Sequence, residues 1–123
     1  MSIAYLTVAL VTIAANTFSG GAAMTRFEPI MRTLRPALAT AGVPESWLVF
    51  PIGFFKLAGA IGLLVGLLGV PLIGTAAAIG LVLYFVCAAY THVRVSDYSA
   101  PFFLATGFFL VLAVATTVLD LAD

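Results

Sequence analysis

The stretch from Trp47 to Gly69, WLVFPIGFFKLAGAIGLLVGLLG, is apolar almost throughout, yet it carries Lys56 in its middle. As a helix it would be roughly 34 Å long at 1.5 Å per residue, against a hydrocarbon core of about 30 Å. Lys56 then lies roughly 14 Å from the Trp47 end, close to the midplane. An ammonium there costs about 2.5 to 3.5 kcal/mol on insertion scales, so it has to face protein or a wet cavity rather than lipid. Gly59, Gly62, Gly66 and Gly69 follow one another at spacings of three and four. They predict a bare stripe, bordered by Lys56, along which another helix approaches closely.

Only 8% of the 123 residues are charged, while 63% are hydrophobic. A soluble domain carries about 25% charged residues, so this chain cannot build a water-facing surface. Its length predicts one domain over residues 1–123. Net charge is zero and no basic run exists, which excludes nucleic acid as a partner. Cys87 is the only cysteine and His92 the only histidine. A disulfide within the chain, a multi-cysteine metal site and a haem with two axial histidines are therefore all excluded. The N-terminus, MSIAYLTVALV, lacks the positive n-region of a secretory signal, so the first apolar segment is expected to be retained.

The expected fold is all-α: an integral membrane, antiparallel four-helix bundle with spans at about 2–23, 47–69, 72–92 and 100–121. In the first span, Tyr5, Thr12, Asn16 and Ser19 fall on one helical face. Thr12 and Asn16 are expected either to hydrogen-bond between helices or to line a ligand pocket. The segment after Met24 holds Arg26, Glu28, Arg32 and Arg35, with an apolar stripe of Phe27, Ile30, Met31 and Leu34. It predicts a short interfacial helix within about 27–41, starting near Pro29 and broken at Pro36. That helix is either a solvated connector or a lid over the bundle mouth. Trp47 sits where an interfacial anchor belongs, and Pro51 is expected in the first helical turns of the second span. Val70-Pro71 is too short a turn for anything but an antiparallel neighbour. Gly80, Tyr84, Cys87 and Thr91 form a polar stripe on the third span, and Thr106, Ala113, Thr117 and Asp120 share a face of the fourth.

The first and third connections lie on one side of the membrane and hold Arg26, Arg32, Arg35 and Arg94, against no Lys or Arg at the termini or the Val70-Pro71 turn. The positive-inside rule places those connections in the cytoplasm and both termini outside.

Three stretches resemble the DoxX-like family, of the small four-helix type common in actinobacteria. They are AANTFSG in the first span, GVPESWLVFPIGFFKLAGAIGLLVGLLGVP through the second, and AAAIGLVLYFVCAAYTHVRVSDY across the third. The resemblance covers nearly the whole chain and implies a four-helix protein of the bacterial cytoplasmic membrane. Members of the family have been associated with a membrane subunit of a thiosulfate:quinone oxidoreductase, and more distant ones with accessory or chaperone roles. Many relatives carry an acidic residue where this chain has Lys56, so no role tied to that carboxylate carries over.

Lys56 leads the candidate residues. Withdrawn from water, it suits a general base, a Schiff-base nucleophile or an anchor for an acidic ligand head. Alternatively, it reaches water along its four-carbon stem or pairs with a carboxylate from the Arg-rich side. Asp120, roughly 15 Å away along the axis, is unsuited to that pairing. His92 either holds a helix end or passes protons between cytoplasm and cavity. Tyr84 either bonds across the bundle or holds a ligand, and Cys87 reads as a small packing residue.

Two functions follow. In one, the four polar stripes converge on a pocket for an apolar molecule with a polar head, quinone- or isoprenoid-like, in an oxidoreductase-related role. Lys56, Asn16, Tyr84, Thr12, Cys87 and Thr117 line that pocket, with Arg26, Glu28, His92, Arg94 and Asp97 at its cytoplasmic rim. In the other, the bundle is a non-catalytic module that stabilises a partner membrane protein or assembles with its own copies.

Overall fold

A computed structural model of the chain describes residues 2–25, 27–96, 98 and 100–122. Arg26 and Asp97, both expected at the rim, lie outside the described residues, as does the Ile30 side chain. Four helical runs are long and apolar enough to cross a membrane: Ile3–Thr25, Ser46–Leu67, Pro71–Arg94 and Phe102–Ala122. Large apolar side chains such as Ile3, Phe18, Ile61, Leu83, Val111 and Leu121 are turned outward along them. The molecule is an all-α, four-helix, multi-pass membrane protein with a lipid bilayer as its surroundings.

Helix α1 (Ile3–Thr25) packs against α3 (Phe54–Leu67) and α6 (Leu110–Ala122), and α4 (Pro71–Arg94) closes the ring between α3 and α6. Small residues set how closely these helices meet. Gly66 stands against the backbone of Gly74, where an added Cβ would come within 2.5 Å of its Cα. Gly59 receives Leu81, and Gly62 receives Ala77. The expected stripe therefore joins α3 to α4, but Gly69 is not part of it. Its φ of 136° belongs to the turn before Pro71, and nothing lies within 4 Å of where its Cβ would be. That backbone conformation is open to glycine at little steric cost.

The second span is not one helix. Glu45–Leu48 forms a 3-10 turn, Phe50 is extended (φ −145°, ψ 129°), and α3 begins only at Phe54. The sequence reading placed Pro51 inside the first helical turns. Instead, the proline pushes the residue before it out of the α region, and the span breaks there. Gly53 follows the break, its would-be Cβ 2.6 Å from the Leu48 carbonyl oxygen and 3.0 Å from that of Gly20, so glycine lets α1 cross here.

Pro36 errs the other way. Helix α2 (Glu28–Ala41) runs through it without a break and ends at Gly42 in the left-handed region, with the Val43 amide donating to the Leu38 carbonyl. Pro36 is exposed, so the carbonyl that loses its partner is on the outer side of the helix. The apolar side of α2 is anchored on the bundle by Met31, fully buried against Ala23 and Leu48. Arg32 and Arg35 point away from it.

In the last span, a short helix α5 (Ala100–Leu104) passes through a π-helical turn at Ala105–Phe109 into α6. The wider turn takes in an extra residue and shifts the helical phase of everything after it.

Gly66→Ala should destabilise the protein in detergent by about 1 to 3 kcal/mol, because the added methyl meets backbone. Gly21→Ala, which meets nothing within 4 Å, should be neutral or stabilising by up to about 1 kcal/mol. Melting curves of the two variants check this, and equal losses would refute the packing.

Candidate functional site

Lys56 lies in the first turn of α3 and extends into the ring of helices. Its Nζ donates to the Ser19 hydroxyl of α1 at 2.8 Å. It also stands 5.2 Å from the ring centre of Phe109 and 5.9 Å from that of Phe85. These two rings stack on each other, 5.3 Å apart and inclined by 17°. Among the described residues no carboxylate reaches the ammonium, and the ion pair found there is Arg35–Glu28 at 2.8 Å. A hydrogen bond from a charged donor contributes about 1.5 to 3 kcal/mol, and a desolvated cation–π contact about 0.5 to 2. Together they match the cost of holding the ammonium away from water. Ser19 precedes the end of α1 by six residues and Phe85 precedes the end of α4 by nine, which puts the ammonium about 9 to 14 Å inside the Arg-rich end.

Beside Lys56, between α3 and α4, lies a cavity of about 880 Å³. Its α3 wall is Phe55, Lys56, Ala58, Gly59 and Gly62, with Ile52 from the segment just before that helix. The α4 wall includes Ile73, Ala77, Gly80, Tyr84, Cys87 and Thr91, ending at His92. Leu34, Leu38 and Ala41 of α2 cover the Arg-rich end, next to Trp47. Leu83, Phe55 and Ile73 are both lining and exposed, so the cavity opens on the outer face of the α3–α4 pair. From Ile73 to His92 it follows α4 for about 29 Å.

All four residues of the α4 stripe (Gly80, Tyr84, Cys87, Thr91) face this cavity. Tyr84 does not bond across the bundle. Its ring packs on Phe85 at 4.9 Å and Phe55 at 6.4 Å, and no described residue hydrogen-bonds its hydroxyl. Cys87 is exposed on the wall instead of packed within the bundle. His92 lines the inner end with its ring 5.9 Å from that of Phe102.

The other stripes do not converge here. Thr12 and Asn16 are buried between α1 and its neighbours and do not line this cavity. The Thr12 hydroxyl is 3.0 Å from that of Thr116, joining α1 to α6. The Asn16 amide donates to the Thr12 carbonyl at 2.9 Å, and its Oδ1 is buried with no partner among the described residues. Thr117, expected on the pocket wall, bonds back to Ala113, and Thr116 takes the inward position. Thr116 and Thr117 follow the buried Ala113 by three and four residues, and the contact with Thr12 takes Thr116. Asp120 accepts from Thr75, far from Lys56. Glu28 is exposed and paired with Arg35, and Arg94 is exposed at the end of α4, so neither lines the cavity.

Ser19, Phe85 and Phe109 complete the lysine's surroundings and were not singled out from sequence. Ser19 was visible on the first polar stripe. Nothing distinguishes Phe109 among its apolar neighbours, because the π-helical turn breaks the period that would have found it.

Against known proteins, a model of the DoxX-like family matches residues 7–116. No curated protein and no solved structure matches the chain significantly.

Removing the Ser19 hydroxyl (Ser19→Ala) should lower stability by about 1.5 to 3 kcal/mol, since a buried charge loses its hydrogen bond. The same change in a Lys56→Met background should have little effect. A double-mutant cycle in detergent should give a coupling of about 1.5 to 3 kcal/mol, and additivity within about 0.5 kcal/mol would contradict the contact.

Proposed function

The chain belongs to the DoxX-like family, and from that starting point we propose that it binds an apolar small molecule with a polar head in the α3–α4 cavity. The ligand is quinone- or isoprenoid-like and dissolved in the bilayer. The cavity itself carries the reading: about 880 Å³, walled by apolar and small residues, with a few polar side chains among them. Such a site, mostly apolar and orienting its ligand through a handful of polar groups, is the usual form of a small-molecule pocket. The opening between α3 and α4, with α2 over the Arg-rich end, favours entry from the lipid side. Lys56 and Tyr84 are the donors placed to receive a ligand oxygen, and an oxidoreductase-related role fits such a ligand.

The protein sits in a bacterial cytoplasmic membrane with its Arg-rich end inside. Support comes from four arginines on that side and none at the other.

One observation favours a second reading. The α3–α4 face is floored by Gly59, Gly62, Ala76, Ala77 and Gly80, a surface that also lets a partner's transmembrane helix approach. The protein would then be an accessory module for another membrane protein.

Gly80 separates the readings from a failure to fold, because a side chain added there meets nothing within 4 Å. Gly80→Leu should leave the melting temperature unchanged and reduce co-purifying apolar ligand, extracted and identified by mass spectrometry, at least about tenfold. Undiminished ligand in a folded variant would overturn the pocket. Loss of a co-purifying partner with unchanged ligand would favour the accessory role.

A further inference from the structure

We infer that the cavity's ligand is a single-chain amphiphile with a carboxylate head, a long-chain carboxylic acid, held head-inward at Lys56. The inference rests on the cavity taking an apolar molecule with a polar head, as proposed above, and puts a carboxylate on a single chain in place of the quinone- or isoprenoid-like ligand. Lys56 is a cavity-lining residue whose described partners, Ser19 and the Phe85 and Phe109 rings, are all uncharged. They lower the cost of burying the ammonium but leave its unit charge unbalanced among the described residues. In a medium of low dielectric, that charge attracts an anion far more strongly than it would in water.

The facing wall supplies a second donor. Tyr84 lines the cavity, and its hydroxyl has no hydrogen-bond partner among the described residues. An ammonium and a phenol on facing walls suit the two oxygens of one carboxylate, which accepts and does not donate. Its single negative charge matches the single cation. A phosphate monoester would bring a charge of about −1.5 to −2 to the same place.

The tail has an apolar course on either side of the head, and towards α2 the walls include Leu34, Leu38, Trp47 and Ile52. Beyond Tyr84, towards the Val70-Pro71 turn, the walls are Gly59, Gly62, Ala77, Gly80 and Ile73, without a charged side chain. This stretch extends about 17 Å along α4. Its apolar character excludes a second polar group.

Competition against a fluorescent fatty acid tests the inference, using the full chain in dodecyl maltoside in mildly alkaline buffer. Palmitate, hexadecanol and hexadecyl phosphate are the probes. Palmitate should bind at least about tenfold more tightly than hexadecanol and more tightly than hexadecyl phosphate. Lys56→Met should abolish the preference for palmitate over the alcohol. Because wild-type protein alone compares the three heads, an unfolded variant does not rescue the idea, and Tyr84→Phe provides a milder change that should reduce the preference by a smaller factor. Equal binding of palmitate and hexadecanol overturns the inference while leaving the cavity reading standing. So does tighter binding of the phosphate. Binding of none of the three overturns the inference, and the cavity reading falls with it only if Gly80→Leu also leaves the co-purifying ligand undiminished.

Discussion

An ammonium group inside a membrane bundle is the constraint around which the rest of the molecule is arranged. Lys56 cannot be left against acyl chains, and its hydrogen bond to Ser19 together with the stacked Phe85 and Phe109 rings gives it protein surroundings drawn from all four spans. For those groups to meet, α1 has to come close to the start of α3. Gly20 and Gly53 allow it, since the would-be Cβ of Gly20 is already 3.0 Å from the Lys56 Cβ. The break at Phe50 and the π-helical turn at Ala105–Phe109 flank the same level of the bundle. Departures from regular helix recur at functional sites, and here they aim the lysine and one of the rings beneath it.

Elsewhere the bundle relies on close approach more than on apolar burial, as expected where lipid is as apolar as the core. The Gly66–Gly74 crossing and the Thr12–Thr116 contact tie helices through backbone proximity and hydroxyls. The tight pairing of α3 with α4 near the Val70-Pro71 turn gives way to an open cavity towards α2, where Phe55, Tyr84 and Leu38 take the place of glycine and alanine. The same helix pair thus packs backbone against backbone at Gly66 and Gly74 and borders a cavity along its outer face.

Much of the fold was legible because bilayer thickness and hydropathy leave few alternatives: the four spans, the short turn at Val70-Pro71 and the amphipathic α2 all follow from composition and period. The α4 stripe was legible for the same reason, since α4 is a regular helix and Gly80, Tyr84, Cys87 and Thr91 keep their phase. Period counting failed where the helix is irregular. Pro51 broke the second span instead of sitting in its first turn, and the π-helical turn hid Phe109 among its apolar neighbours. Pro36 was read as a breaker because local sequence does not tell whether the carbonyl it orphans faces outward. The convergence of four polar stripes on one pocket was also wrong, for a physical reason. Thr12 on α1 meets Thr116 on α6 and Asn16 turns back on Thr12 inside the bundle, so only the α4 stripe faces the α3–α4 cavity.

Lys56 is the chain's single lysine, so labelling lysine with 15N at Nζ gives one side-chain signal for the group on which the structure turns. Solid-state NMR in lipid bilayers then reports what surrounds it. The structure requires Nζ contacts to aromatic ring carbons and to the serine Cβ, with no transfer from acyl-chain protons. Strong transfer from acyl-chain protons, with none to phenylalanine, would mean that the lysine faces lipid, and the arrangement described above would be wrong.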